Sequence, residues 1–183
     1  MTFNKVVFDI ETTMTADKIW CIVCKHNDTY YQFREDNLHR FEEFIKQTEE
    51  VIGHNILGFD IPVVNKIFGY DLFANCKKTD TLVLSRLLNP MIEGGHSLKN
   101  WGTKLGQNKI HFEQFDFFTE EMLTYCRNDV ELTERLYKFL ITKTKDFGQS
   151  IELEHKVAEI IQKQHDTGSV SYTHLRAHET LLD

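Results

Sequence analysis

The chain has 183 residues, 41% of them hydrophobic and 14 of them Phe, and this composition indicates a globular domain with a sizeable core and excludes a disordered chain. The formal net charge of -7 disfavours broad adhesion to nucleic acid or to an anionic membrane surface. The 4 cysteines predict no disulfide framework, and neither a signal peptide nor a membrane span is evident, so we expect a cytoplasmic protein without a membrane partner.

The first part of the chain predicts a β-hairpin followed by alternating helices and short strands. β-Branched and aromatic residues predict strands, and capping residues mark where helices begin. Asn37 is expected to cap the first helix, Asp60-Ile61-Pro62 to begin the second, and Gly69 to end it. The predicted strands cover residues 4–10, 18–25, 29–34, 51–54 and 76–80.

The second part of the chain predicts helices. Residues 81–88 form one, Ser97 caps another, and Thr119 caps a long helix that runs to about Lys145. This order predicts an α/β fold with a central mixed sheet of about five strands, the hairpin first, covered by helices on both faces. A further helix near 151–165 has a different charge pattern and is interpreted as the start of a following domain.

Two acids share one face of the first predicted strand. Side chains alternate along a strand, so Asp9 and Glu11 point the same way while Phe8 and Ile10 point to the other face. Buried neighbouring carboxylates repel each other unless a cation or a proton neutralises them. A divalent metal would explain the pair, and an exposed strand end whose acids face water is the alternative.

Two more acids could join them. Asp60 stands where a helix begins, where the helix dipole favours a carboxylate, although it could simply be a cap. Tyr125 and Asp129 are four residues apart on the stripe of the long helix that Leu132 and Leu136 continue, so both are expected to face inward. Four inward carboxylates without His or Cys suit Mg2+ or Mn2+, and a pair of such ions is what phosphodiester hydrolysis uses.

These residues, in this order, resemble the three motifs of the DEDD exonuclease superfamily. The motifs are Asp9-x-Glu11, His54-Asn55-x-x-x-Phe59-Asp60 and Tyr125-x-x-x-Asp129. The segments 79–88 and 96–106 resemble the 3′–5′ proofreading domain of bacteriophage-type family A DNA polymerases. Tyr125, with Thr124 before it where another branch has His, is similar to the tyrosine branch. The resemblance covers residues 3–165 and implies a ribonuclease-H-like fold.

The resemblance also implies roles for individual residues. Asp9, Glu11 and Asp129 would bind the tighter of two Mg2+ or Mn2+ ions, and Asp60 would hold the second through water. Tyr125 would orient the attacking water. Thr12, Asn55 and Phe59 would contact the substrate, and simple core packing is the alternative for Phe59. By contrast, we interpret His54, His96, Trp101 and the pair Cys21 and Cys24 as structural, and Asp80 as a helix cap.

The expected activity is therefore a 3′–5′ exodeoxyribonuclease that releases nucleoside 5′-monophosphates from single-stranded or frayed DNA 3′ ends. Residues 1–148 would be the exonuclease domain, and residues 149–168 would begin a polymerase domain that this chain lacks. An RNase D-like enzyme that trims RNA, and a remnant that binds DNA or a partner without cutting, are the alternatives. Residues 169–183, with His174 and His178, resemble translated sequencing adaptor and are set aside as a non-native tail.

Overall fold

The computed structural model describes residues 2–107, 109–110 and 112–168, so the predicted tail lies outside the described residues. The described residues form five strands and six α-helices: three strands come first, helices and strands then alternate, and only helices follow the last strand. The strands are β1 (Val6–Thr12), β2 (Ile19–His26), β3 (Thr29–Arg34), β4 (Glu50–Gly53) and β5 (Lys77–Asp80). The helices are α1 (Leu38–Ile45), α2 (Asp60–Phe68), α3 (Thr81–Leu88), α4 (Leu98–Leu105), α5 (Glu120–Lys143) and α6 (Gln149–Thr167).

The five strands form one mixed sheet in the order β3-β2-β1-β4-β5. β1, β2 and β3 are antiparallel neighbours, whereas β4 is parallel to both β1 and β5. β1 therefore lies at the centre and changes from antiparallel to parallel pairing on its two sides. The carboxyl ends of β1, β4 and β5 meet at the same edge of the sheet, which is where α/β proteins commonly bind ligands.

Helices cover both faces of this sheet. On one face, Phe8 of β1 packs among the aromatic residues of α1 and of the segment after α2, with Phe41 and Phe73 fully buried. On the other face, Val7 packs against Met122 and Val130 of α5. Helices α3 and α4 pack on the outer side of α5, where their leucines and Trp101 form a third cluster. The predicted fold class is therefore confirmed.

Helix α6 packs against this body through a few residues. His155 is buried, Ile151 contacts the cluster on α5, and Ala158 contacts the core behind β1. The opposite side of α6 carries exposed apolar side chains, namely Leu153, Val157, Ile160 and Ile161. Among the described residues, no helix combines the length and the apolar character needed to cross a membrane.

Candidate functional site

The candidate site lies at the carboxyl edge of the parallel strands. Asp9 and Glu11 project from β1 towards α5, as the alternation predicts. The pairing of β1 with β2 shifts register between Glu11 and Thr12, and such irregularities re-aim side chains near functional sites. Asp60 belongs to the first turn of α2, which follows β4. The topology therefore brings the acids of the first two motifs to one edge.

Asp9 and Glu11 form a compact group with Cys126 of α5. Each offers one potential ligand atom, and these three atoms lie within 4.8 Å of one another. The Sγ atom of Cys126 lies 3.4 Å from the carbonyl oxygen of Asp9 and 3.5 Å from its Oδ2 atom. This is the one such cluster of acids, cysteines and histidines found in the part of the chain that the structure describes.

Asp60 reaches the same strand from the other side. It is buried, and its Oδ1 atom accepts a hydrogen bond of 3.3 Å from the backbone N–H of Ile10. This contact places the Asp60 carboxylate beside the residue that separates Asp9 from Glu11. Asp60 therefore contacts β1 as well as beginning α2. The alternative interpretation, in which it is simply a helix cap, does not account for this contact.

Asp129 approaches from α5. It is only 3% exposed, and its Oδ2 atom lies 2.6 Å from Nζ of Lys109. Its Oδ1 atom is buried and, among the described residues, has no hydrogen-bond partner. Buried polar atoms are normally paired, so an orphaned carboxylate oxygen is a good indication of a missing ligand.

The four acids also interact electrostatically. Loss of hydration and the charges of Asp60, Glu11 and Asp129 raise the pKa of Asp9 well above its usual range. Burial raises the pKa of Glu11 to about 9 and that of Asp60 to about 7, and nearby carboxylates contribute to both. The cluster therefore retains protons near neutral pH unless a cation neutralises it.

This donor set fits a hard divalent cation. It consists mainly of carboxylate oxygens, which are the ligands that Mg2+ and Mn2+ prefer, and it contains a buried oxygen that lacks a partner. The thiols of Cys126 and Cys21 are soft atoms nearby; burial raises the pKa of Cys126 well above its usual range, so that thiol is not a thiolate. The residues present thus support the predicted metal type.

Tyr125 lies at the rim of this cluster and is half-buried. Its ring is 5.5 Å from that of Phe112, and Nζ of Lys109 lies 4.8 Å from its centroid. Burial raises the pKa of Tyr125 to about 12, so its phenol keeps its proton at neutral pH. Tyr125 can therefore position a polar group beside Asp129 but is a poor base.

The loop between β4 and α2 carries the proposed substrate contacts. Asn55 is exposed and has a positive φ of 65°, and Phe59 is 41% exposed, so core packing does not explain Phe59. Asp80 holds this loop because its carboxylate accepts the backbone N–H groups of Asn55 and Leu57, at 2.8 and 3.0 Å. Thr12 is buried at the end of β1.

Asp80 also caps α3, since its Oδ1 atom accepts the N–H of Leu82 at 2.8 Å. His54 and His96, which were also predicted to be structural, have hydrogen-bond partners as well. His54 Nδ1 is 2.9 Å from Thr81 Oγ1, and His96 Nδ1 is 2.7 Å from Ser85 Oγ. Burial lowers the pKa of His54 to about 4, which keeps its ring neutral.

Several solved structures are similar to this chain. NrnC from Brucella melitensis aligns over 88% of this chain and 81% of its own, with 20% identity and a TM-score of 0.63, and its structure with bound Mg2+ gives the same values. A structure described as the apo form of a nuclease covers 91% of this chain and 88% of its own, with 17% identity and a TM-score of 0.66. No protein-family model and no curated protein matches the chain.

The fold is ribonuclease-H-like. At identities of 20% or less the comparison shows the fold and carries no activity from one protein to another. A family A polymerase is not among the descriptions of these structures, so the predicted proofreading role receives no support from them. The roles of the individual site residues likewise stay predictions. The geometry described above gives the positions of these residues and not their roles.

Sequence reasoning missed two residues of the site. Lys109 lies in an irregular segment after α4, and nothing in the spacing of the sequence marks a lysine there as a partner for Asp129. Cys126 was considered only as one of four unpaired cysteines. Its position next to Tyr125 and three residues before Asp129 was a usable signal, because residues three apart share a helix face.

Proposed function

We propose that this chain is a divalent-metal-dependent nuclease that removes nucleotides from the 3′ end of short oligonucleotides, with RNA as the favoured substrate. One observation carries the proposal: at one edge of a ribonuclease-H-like sheet Asp9 and Glu11 lie together and Asp60 contacts the backbone between them, while Asp129, whose charge acts on Asp9, has a buried oxygen without a partner among the described residues. Carboxylates that lie close together repel one another, and a fold retains such a group when its function needs it.

The four carboxylates would hold two divalent cations. When bound, these ions supply charge neutralisation and polarise the scissile phosphodiester. Tyr125 positions the attacking water through its protonated phenol, with Glu11 beside it. The exposed ring of Phe59 offers a face on which a base can stack, and Asn55 and the backbone of Thr12 would contact the terminal nucleotide.

The ligand bound in a similar structure favours RNA as the substrate. NrnC has been described in complex with pGG, a ligand written without the d of a deoxynucleotide, and that complex aligns over 88% of this chain with 18% identity and a TM-score of 0.63. This ordering reverses the expectation from the sequence, in which DNA came first. The trimming of RNA, which the sequence offered as the alternative, therefore becomes the main proposal.

A DNA proofreading exonuclease is the second candidate. The observation that favours it is the resemblance of segments 79–88 and 96–106 to phage-type family A polymerases. An apolar face on α6, where Leu153 and Ile161 are 60% and 59% exposed, is compatible with packing against a following polymerase domain. Such a domain remains a prediction, as does the division of the chain at residue 148.

Digestion of matched RNA and DNA oligomers tests the proposal. Both have one sequence and a label at the 5′ end, so removal of 3′ nucleotides gives a descending ladder. With Mg2+ we expect faster shortening of RNA, and Asp129→Asn should reduce the rate at least about hundredfold, because the site loses a charged ligand. Glu131→Gln, on the exposed side of the same helix, is the matched control and should retain full activity.

Each outcome decides between the candidates. Faster shortening of DNA would favour the second candidate, a DNA proofreading exonuclease. Absence of shortening for both substrates would contradict a nuclease and leave a protein that only binds nucleic acid. Equal rates for Asp129→Asn and Glu131→Gln would place the chemistry elsewhere in the chain.

A further inference from the structure

Lys109 contributes a positive charge inside the acid cluster. Its Nζ atom lies 2.6 Å from Oδ2 of Asp129 and 4.8 Å from the ring centroid of Tyr125, and its side chain is 25% exposed. The ammonium group therefore occupies the space between the predicted metal ligand and the residue predicted to orient water. It holds one oxygen of the Asp129 carboxylate, beside the Oδ1 atom that is left for a metal ion.

The fold places Lys109 there through the segment that follows α4. The N–H of Gln107 donates to the carbonyl of Gly102 at 2.9 Å, and the N–H of Ile110 donates to Oδ1 of Asn128 at 3.4 Å. Gly102 allows this close approach, because a Cβ atom at that position would lie 2.5 Å from the carbonyl oxygen of Gln107. The backbone on both sides of Lys109 is thus tied to α4 and α5.

Aromatic contacts hold the next part of the same segment over the site. The rings of Phe112 and Phe115 pack edge to face at 5.2 Å, and Phe112 also packs on Tyr125. The carbonyl oxygen of Phe115 accepts a hydrogen bond of 2.9 Å from Nε1 of Trp20 in β2. Lys109 is therefore carried by an anchored segment, and its approach to Asp129 is a product of the fold.

Lys109 and a divalent cation are alternatives at Asp129. Two cations within a few ångströms in a site of low polarity repel each other strongly, and they would share one carboxylate. A metal ion bound through the free Oδ1 atom of Asp129 therefore weakens the hold of this carboxylate on the ammonium group and favours its departure. A displaced ammonium needs another anion, and the anion that the proposed function brings to this edge is a phosphate of the oligonucleotide.

We propose that Lys109 is a built-in counter-ion that competes with the divalent cation for Asp129 and transfers to a substrate phosphate when the metal binds. The inference rests on the proposed metal site. It makes metal and oligonucleotide binding cooperative, because the phosphate stabilises the position of Lys109 that leaves Asp129 available. It also gives the metal-free protein a partly neutralised cluster.

Isothermal titration of Mn2+ into the metal-free protein tests the competition. Lys109→Met keeps the apolar stem and removes the charge, and Lys104→Met, at an exposed position in the last turn of α4, is the matched control. We expect Lys109→Met to lower the Kd for Mn2+ about threefold or more, the scale of a partly exposed ion pair. Lys109→Arg retains the positive charge and should keep the Kd near that of the original chain.

If Lys109 only positioned Asp129, Lys109→Met would change the Kd for Mn2+ in the opposite direction. In that case Lys109→Met would weaken Mn2+ binding, and this result, or an unchanged Kd, would overturn the inference. If the original chain itself bound no Mn2+, the proposed function would fall with it. Lys109→Gln serves as a second neutral variant should the methionine disturb folding, as judged by circular dichroism.

The transfer to phosphate has a separate measurement. Binding of the 5′-phosphorylated dinucleotide pGG is followed in the presence of Ca2+, with the same variants. Lys109→Met should raise the Kd for pGG about tenfold, consistent with the loss of a charge-assisted contact of about 1.4 kcal/mol. Equal dinucleotide affinity in Lys109→Met and Lys104→Met would contradict the transfer.

Discussion

At the scale of single residues, Tyr125 shows how burial restricts what a side chain can do. Its pKa of about 12 means that the phenol stays protonated across the physiological range. It therefore cannot remove a proton from water to any useful extent, and its contribution has to come from position. Tyr125 lies beside Asp129 and is fixed there by Phe112 and by its own place on α5.

Replacing Tyr125 with Phe removes one oxygen and keeps the ring. We expect kcat for oligonucleotide shortening to fall about tenfold to hundredfold, because the attacking water loses a group that orients it. The Kd for Mn2+ should change little, since the carboxylates are untouched. Steady-state kinetics and calorimetry on the same preparation provide both values. A variant that also lost Mn2+ affinity would show that Tyr125 supports the ligands and does not orient water.

At the scale of elements, most helices and strands could be predicted from helix caps and from the periodicity of apolar residues. Ser97 and Thr119 cap α4 and α5 by accepting the N–H groups of Asn100 and Met122, and Gly69 ends α2 in a left-handed conformation. These are local interactions between residues a few positions apart, so the sequence displays them directly. The predicted ends of the helices and strands differ from the observed ones by a few residues at most.

The segment between α4 and α5 could not be predicted in the same way. It has no period, and its position depends on contacts with residues far away in the chain, such as the bond from Trp20 to Phe115 and the pair of Lys109 with Asp129. The meeting of Asp60 with the backbone of Ile10 is also a long-range contact. The residues of the acid cluster were predictable from motif order, whereas the cation among them was not.

The attachment of α6 depends on His155. Its Nε2 atom accepts the backbone N–H of Asp80 at 2.9 Å, and its other ring nitrogen therefore carries the proton that is donated to the carbonyl of Ile151 at 2.7 Å. This links α6 to the residue that holds the substrate loop. Both partners of the ring are backbone groups, and the bond from Asp80 is buried.

His155→Ala should lower the free energy of unfolding by about 1–3 kcal/mol, because the buried N–H of Asp80 loses its acceptor. Urea unfolding gives this value from the midpoint and the slope. His165→Ala is the matched control on the same helix, where the histidine side chain is 83% exposed, and it should leave the midpoint unchanged. Equal midpoints for the two variants would mean that α6 contributes little to the stability of the fold.

At the scale of the whole molecule, the acid cluster couples stability to pH and to metal. Glu11 and Asp60 have pKa values of about 9 and about 7 in the folded, metal-free chain, both above their unfolded values of about 4. Between these limits the unfolded chain releases protons that the folded chain keeps. The free energy of unfolding therefore falls as pH rises, by at most about 1.4 kcal/mol per pH unit for each group.

In EDTA we therefore expect Tm to decrease from pH 5.5 to pH 9, with Asp60 contributing up to about pH 7 and Glu11 up to about pH 9. Mg2+ binds the ionised carboxylates of the folded chain, so the gain in Tm on adding Mg2+ should increase over the same range. Glu11→Gln should flatten the decrease above pH 7, and the exposed Glu131→Gln should not. The same slope above pH 7 in both variants would show that Glu11 ionises normally in the folded chain and would contradict its raised pKa.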